Sequence, residues 1–492
     1  MIAKIKLAEP LADVIEVRFD CLPKKEISSM MANLPAISKT YLVTFRSKEQ
    51  GGKRELPIRE QIKFWELVFY HHKTNFMIDV EADARMMLAI EPNKIKRIIS
   101  LHNFDDAPRD FGHTFDVLSN VGGPITKLAF YANDIGDSVE VWKLLERATN
   151  ANKQFIPIAM GEAGKWTRIL GLAHGAYMTY ASLDEGEETA DGQITAKDMI
   201  EVYRVKELDE NTRVYGVIGD PVSSSKSPYM HNAAFAFEAM NAVFLPLLVK
   251  NLDEFILRIV RRETREVELN FAGFSVTMPH KEAIINHLDD IDDTAKKIGA
   301  VNTVKIERDK LVGYNTDAHG FITPLKEKFG DLKNARVAVL GAGGAARACV
   351  YALSQKGADV TVFARDSKKA NSFVEEFNIN AKLFPSAGSD KSLVDTFDIL
   401  VNATPFGMKG DLENESPLTA EQLAGVKFVY DLVTRPDHSP LVGEAKKAGI
   451  PVIGGLEMLI AQGVKQFEIW TGRDAPADVM RQSVMSRLTK NS

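Results

Sequence analysis

Two lysines and the residues around them carry the chemistry that can be read in this chain. The first is Lys127, in the middle of the strand-like run ITKLAFYA (125–132). An ammonium inside a protein is costly unless it is paired or gives up its proton. Other reactive side chains fall at the ends of neighbouring runs: Glu16 and Arg18 in DVIEVRF, Arg46 in TYLVTFR, His102 in RIISLH. Arg168 follows AMGEAGKWT and Gln193 follows TADG. Taken singly, each has an ordinary reading as a structural histidine, a solvated lysine or a helix-capping arginine. Together, one lysine, one histidine and three arginines describe a pocket for a small anion that forms an imine. A lysine desolvated among cations loses its proton readily and attacks a ketone. The resulting iminium is an electron sink; it acidifies the neighbouring C–H, which a histidine near its working pKa can remove.

The second lysine is Lys281 in FSVTMPHKEAI (274–284), followed by Asp317 in GYNTDAHGF (313–321). By default Lys281 is a surface residue and Asp317 a helix cap. Downstream, RVAVLGAGGAARACVYALSQKGADVTVFA (336–364) reads as strand, glycine turn, helix and strand, one βαβ unit. In the turn, Gly341 permits the tight bend, Gly343 lets the backbone approach a pyrophosphate, and Ala346 packs the helix on the strand. Ala342, Gly344 and Ala345 complete the dinucleotide-binding segment at the helix N-terminus. Cofactor type is read at the end of the next strand, in VTVFARDSKKA. Arg365 lies where an arginine meets a 2′-phosphate, and Lys368 and Lys369 add positive charge, which favours NADP. Asp366 could instead bond a ribose diol, which would favour NAD.

Elements of matching rhythm must position these groups. In residues 1–205, short strands apolar on both faces alternate with helix-length stretches: 13–19, 40–46, 76–81, 97–102, 125–132, 155–160 and 175–183. That is the pattern of parallel strands covered by helices. Seven such strands point to a (β/α)8 barrel with its site at the C-terminal strand ends. Only about a dozen residues precede the first run, where a parallel crossover alone needs roughly that many. The first strand–helix unit of the barrel is therefore expected to be missing or incomplete. The charged stretch 206–213 reads as a linker. Residues 214–320 mix strands and helices again, and 456–472 is an apolar-periodic helix.

At this point the motifs resemble two known families. IEVRFD, TFRS…GG, SLHNF, ITKLAF, MGEAGKWTRI and TADGQ, in this order over residues 10–200, are similar to the type I 3-dehydroquinate dehydratases. The resemblance implies a TIM-type barrel in which Lys127 forms the Schiff base with the ketone of 3-dehydroquinate. His102 then moves the proton, and Arg168, Thr189 and Gln193 hold the substrate, with Glu16, Arg18 and Arg46 on its hydroxyls. The family commonly carries Glu where this chain has Gln50, a residue that orients the histidine, and Ser where it has Thr189.

From VYGVIGDPVSSSKSPYMHN through NATPFGM to GLEMLIAQG, the stretch 214–480 resembles shikimate dehydrogenase. That implies Ser225 and Ser227 on the substrate carboxylate and Thr277, Asn302, Asp317 and Gln462 on the ring hydroxyls. Lys281 and Asp317 form the catalytic pair, and Asn402 and Thr404 lie against the cofactor. Thr434 stands where the family often has Tyr. The expected domains are residues 1–208 (dehydratase barrel), 213–320 with a helix over 456–490 packed back on it (substrate domain), and 321–455 (Rossmann, NADP). The product of the first half is the substrate of the second. Two alternatives stay open: an NAD-dependent quinate/shikimate dehydrogenase, and a barrel kept only as a scaffold.

Bulk composition agrees with a small-molecule enzyme. The 492 residues make room for about three domains. A net charge of −6 offers no basic face for nucleic acid. Cys21 and Cys349 lie far apart and form neither a disulfide framework nor a metal cluster, which fits a reducing, cytoplasmic setting. The N-terminal run is broken by Lys4, Lys6 and Glu9 and does not read as a signal peptide. No stretch of about 18 apolar residues is available to span a membrane.

Overall fold

The computed structural model describes all residues except Leu56, 72–75, 83–94, 105–109, 121–123, 385–396, 436–438 and 491–492. The chain forms two compact units. The first holds residues 1–213, 220–223 and 241–270, and the second holds the remainder.

In the first unit, helix α1 (Ile2–Ala8) precedes six strands: β1 (Val14–Arg18), β2 (Thr40–Thr44), β3 (Phe76–Glu81), β4 (Lys96–Asn103), β5 (Ile125–Tyr131) and β6 (Gln154–Met160). They pair in sequence order, all parallel. Because side chains alternate across a strand, one face carries every second residue of each strand. Leu42, Met77, Ile98, Ile125 and Ile156 share one buried apolar cluster on that face. Two residues further along the strands the same face holds Thr44, Asp79, Ser100 and Lys127. Two further still come Arg46, Glu81, His102 and Ala129. An apolar floor thus lies under a polar layer at the C-terminal strand ends.

The barrel expected from the sequence is realised as these six strands, and the ladder does not close among the described residues. The run 175–183 was expected to be a strand. It is extended chain instead, with a single bridge between Ser182 and Thr195. Its backbone tie to β6 is the Tyr177 N–H to the Phe155 carbonyl, 2.8 Å, and a strand needs a row of such bonds. The stretch 206–213 is not a free linker either: Thr212 is buried and its hydroxyl donates to Asn241 Oδ1. Strand β8 (Ala242–Leu248) belongs to this unit, as does β7's first residue Arg213, where β7 spans Arg213–Gly219.

The second unit contains two sheets. In one, β10 (Asp290–Ile291), β12 (Lys310–Tyr314), β11 (Thr303–Glu307), β9 (Phe271–Val276) and β7 lie side by side. The β11 strand is antiparallel to both neighbours, and the other pairs are parallel. The second sheet runs β15 (Asn380–Leu383), β14 (Asp359–Ala364), β13 (Arg336–Leu340), β16 (Ile399–Asn402), β17 (Phe428–Asp431), β18 (Val452–Ile453), all parallel. That order, 3-2-1-4-5-6 in sequence terms, is the Rossmann order.

The helices that matter for the sites are α2 (Lys165–Leu170) in the first unit and six in the second. These are α3 (Ser227–Phe237), α4 (Asp317–Phe329), α5 (Gly344–Ser354), α6 (Ser367–Phe377), α7 (Gly455–Thr471) and α8 (Ala477–Lys490). The single helix expected over 456–490 is two: Gly472 ends α7 in the left-handed region at φ 69°, and Pro476 lies just before α8. The two helices pack on α3 and on each other, and α7 also lies on β9 and β11.

Candidate active sites

One cavity at the C-terminal ends of β1–β6 gathers the candidates of the first unit. Glu16, Arg18, Arg46, His102, Lys127, Arg168, Thr189 and Gln193 all line it, with Gln50, Phe104 and Tyr180. Lys127 is 4% exposed. Its Nζ lies 3.1 Å from Asp79 Oδ2 and 4.1 Å from the centre of the Tyr180 ring. Burial lowers the pKa of Lys127; Asp79 works against this and Arg46 with it. The lysine is thus brought towards the neutral, nucleophilic form.

Asp79 escapes a reading of the sequence by residue type and strand end. It is fully buried, accepts Ser100 Oγ at 2.5 Å and pairs with Arg46 Nη2 at 2.8 Å. Arg46 Nη1 donates to the same Ser100 hydroxyl at 2.8 Å, which closes a ring of three side chains. The signal was present in FMIDVE: acids two apart within an apolar run, like Lys127 in its own.

Two further groups define the cavity chemically. His102 is pushed well below its usual pKa by burial and by the cations Arg46 and Lys127, so its ring is neutral. Its Nδ1 lies 3.2 Å from Gln50 Oε1. Arg168, on α2, is 2% exposed, and neither its Nε nor its Nη1 has a hydrogen-bond partner among the described residues. Burial brings its pKa down to about 10, which leaves it charged at neutral pH. A buried, charged guanidinium with spare donors is costly unless an anion meets it. Arg18 is spent on Asp20 through two bonds of 2.7 and 2.8 Å. Thr189 and Gln193 bond each other at the rim.

In the second unit Lys281 Nζ donates to Asp317 Oδ2 at 2.5 Å. Asp317 opens α4, where a helix N-terminus favours a carboxylate. Its other oxygen accepts Asn302 Nδ2 at 2.7 Å. Asn302 is buried, and its amide also bonds Thr316 and Thr303. It therefore fixes Asp317 from inside the protein. Gln466 on α7 extends this network to Thr303 Oγ1 at 3.0 Å, a residue the sequence reading missed. Thr277 is held by a 2.9 Å bond from its backbone N–H to the Ile218 carbonyl. Ser225 and Ser227 lie at the start of α3, with the Ser227 N–H on Ser225 Oγ at 3.3 Å. Gln462 faces Gly320 of α4 across a close helix–helix approach.

The glycine turn lies beside this pair. A β-carbon on Gly344 would stand 3.6 Å from Lys281 Cδ. Gly341 has φ 107°, and a β-carbon there would lie 2.8 Å from the Ala403 carbonyl oxygen, so only glycine fits. A β-carbon on Gly343 would meet nothing within 4 Å, which leaves the turn open to a phosphate. Asn402 Oδ1 accepts the Thr404 N–H at 3.1 Å and so shapes the facing turn, while its Nδ2 donates to Asp431 at 2.9 Å. Asp366 caps α6, accepting the N–H groups of Lys368 at 2.8 Å and Lys369 at 3.4 Å. One of its oxygens, Oδ1, is thereby committed to the helix, and Arg365, Lys368 and Lys369 remain exposed. The donor set fits a cofactor bearing a 2′-phosphate.

Comparison with known proteins agrees in both halves. The type I 3-dehydroquinase family model matches residues 1–210, and the shikimate dehydrogenase substrate-binding domain matches 217–304. The shikimate/quinate 5-dehydrogenase model matches 324–409, and the shikimate 5′-dehydrogenase C-terminal domain 455–485. The bifunctional 3-dehydroquinate dehydratase/shikimate dehydrogenase of Arabidopsis thaliana, a chloroplastic protein, is 33% identical over 97% of this chain and 80% of its own. The chain belongs to the bifunctional 3-dehydroquinate dehydratase/shikimate dehydrogenases.

It thus combines a 3-dehydroquinate dehydratase with an NADP-dependent shikimate dehydrogenase. The NADP(+) shikimate dehydrogenase of Methanopyrus kandleri is 41% identical over 57% of this chain and 98% of its own. A crystal structure of a shikimate dehydrogenase in complex with NADP+ superposes with a TM-score of 0.51 and 35% identity, over 57% of this chain and 97% of that one. Among the described residues no helix is long and apolar enough to cross a membrane, and no group of three or more His, Cys, Asp or Glu could hold a metal ion.

Proposed function

We propose that Lys127 is the nucleophile of the dehydratase half and His102 its acid–base group, and that Lys281 with Asp317 serves the dehydrogenase half. The observation that carries the first assignment is a buried lysine in the same cavity as a neutral histidine and an unpaired arginine. Lys127 attacks the ketone of 3-dehydroquinate, and the carbonyl oxygen leaves as water. His102 removes the proton from the adjacent carbon and returns it to the departing hydroxyl. Arg168 meets the substrate carboxylate with its free N–H groups. Glu16, Arg46, Thr189 and Gln193 line the remaining wall and bind hydroxyls.

In the second half the nicotinamide, when bound, supplies hydride. Lys281 faces the substrate oxygen, stabilises the charge that grows on it and gives it a proton. Asp317, fixed by Asn302, aims that ammonium. Ser225 and Ser227 take the carboxylate, and Thr277 and Gln462 the ring hydroxyls. Gly341 to Ala345 hold the pyrophosphate, Thr404 borders it, and Arg365 meets the 2′-phosphate. The free thiols of Cys21 and Cys349 suit a reducing compartment such as the cytoplasm.

Borohydride added during turnover with 3-dehydroquinate tests the first assignment. Mass spectrometry of the digested protein should find the adduct on Lys127. An adduct elsewhere, or none in an active enzyme, rules the assignment out.

A further inference from the structure

Among the described residues, Asp79 is the carboxylate paired with the Lys127 nitrogen in the dehydratase cavity. Its Oδ2 lies 3.1 Å from Lys127 Nζ, at a site closed to solvent. It cannot swing away: Oδ1 is held by Ser100 and Oδ2 by Arg46, and these two are bonded to each other. The other charged or titratable groups facing the lysine come from every neighbouring strand. Glu16 and Arg18 come from β1, Arg46 follows β2, Glu81 lies on β3 and His102 on β4. Arg168 and Tyr180 follow β6. Glu81 accepts the Ser47 N–H at 2.8 Å, and Glu16 accepts the Thr44 hydroxyl at 2.7 Å.

We propose that Asp79 is a catalytic residue of the dehydratase: its carboxylate keeps the Lys127 nitrogen protonated after that nitrogen has become part of the imine. The inference rests on Lys127 as the Schiff-base lysine. Ammonium and ketone give iminium and water overall, the attack itself being made by the neutral amine that burial favours; the resting ammonium and the iminium each carry one positive charge, and Asp79 balances it in both states.

The need for a fixed anion follows from the environment. An imine nitrogen holds a proton less tightly than an amine, and burial beside Arg46 disfavours that proton further. Without it the imine is a poor electron sink. With it, the C–H electron pair flows to nitrogen as His102 takes the proton, giving a neutral enamine. The pair then returns to expel the hydroxyl, which leaves as water with the proton from His102, and the iminium is restored beside Asp79.

The test separates total imine from protonated imine. Borohydride reduces both forms, whereas cyanoborohydride reduces the iminium. In the full-length wild type, both reagents should fix 3-dehydroquinate on Lys127 across neutral pH. In Asp79→Asn, borohydride should still do so, while the pH at which cyanoborohydride trapping halves should fall by about 1–3 units, as expected for loss of an adjacent opposite charge. Asp79→Glu, which keeps the charge, should retain the wild-type pH dependence; it also decides the matter if the asparagine variant does not fold. The same pH dependence in Asp79→Asn as in wild type, or a shift in Asp79→Glu like that expected of asparagine, overturns the proposal. Absence of any adduct in wild type would remove the Lys127 assignment itself, and this proposal with it.

Discussion

A single oxygen of Gln50 holds His102 at two points. Gln50 Oε1 accepts the backbone N–H of His102 at 3.0 Å and lies 3.2 Å from Nδ1. A backbone N–H can only donate, so the amide oxygen faces the histidine, and Nδ1 must then carry the ring proton. Nε2 is left with a lone pair, as a general base requires. The neutral amide fixes the tautomer without adding charge.

That arrangement makes a pH prediction. His102 is held well below its ordinary pKa of 6.5, so its base form persists as the pH falls through that value. The acid limb of kcat/KM for dehydration should therefore lie below pH 6.5. Gln50→Glu places an anion at the ring, favours the protonated histidine and should move that limb upwards by about 1 unit or more. A pH–rate profile of the two proteins checks this; an unmoved limb would mean that another group sets it.

Arg168 has two buried nitrogens, Nε and Nη1, without a hydrogen-bond partner among the described residues. Arg168→Ala should raise KM for 3-dehydroquinate by roughly 10- to 150-fold, the loss of a charge-assisted hydrogen bond of about 1.5–3 kcal/mol. The apoprotein should not lose stability, since the native guanidinium is itself unpaired. Steady-state kinetics and a thermal melt measure the two effects. A large drop in melting temperature would show that the arginine holds the fold instead.

Lys281→Ala should lower kcat of shikimate oxidation by about 10²–10⁴ and leave the NADP dissociation constant nearly unchanged. The lysine is aimed by Asp317, so Asp317→Asn should mimic most of that loss. Asn302→Ala, which removes the 2.7 Å bond to Asp317, should give a smaller drop in kcat. If only KM changes in Lys281→Ala, the residue binds substrate without taking part in proton transfer.

Arg365 and Asp366 are adjacent but should behave differently. Arg365→Ala should weaken NADP by roughly 10- to 150-fold and barely affect NAD. Asp366→Ala removes the cap of α6, which costs about 0.5–2 kcal/mol of stability, and should leave the preference for NADP over NAD in place. Kinetics with both cofactors and denaturant titration separate the two roles. A swing towards NADP in Asp366→Ala would show that the carboxylate faces the ribose.

Sequence by itself determined the alternation of strands and helices and the residue types that gather in the two sites. Alternation along ITKLAFYA puts Lys127 on the face of Ile125 and Ala129, and alternation along RIISLH puts His102 on the face of Ile98 and Ser100, because side chains on a strand have no other choice. The glycines of GAGGAA and the basic run after Arg365 are local features, and local backbone physics suffices to read them.

What only the tertiary structure decided are pairings between distant segments. The Asp79–Lys127 contact depends on the registers of β3 against β4 and of β4 against β5, which are set by packing of the whole sheet. Asn302 bears the signature of a binding residue in sequence. In the fold its amide is consumed by Thr316 and Asp317, since α4 begins beside β11. The run 175–183 has strand composition but, among the described residues, no ladder partner beyond one bridge, and composition cannot supply a partner. Asp366 could read as a ribose ligand until the first turn of α6 claims its Oδ1. In each case the residue type was legible, and the competition for its hydrogen bonds was settled by neighbours remote in the chain or by the helix that formed around it.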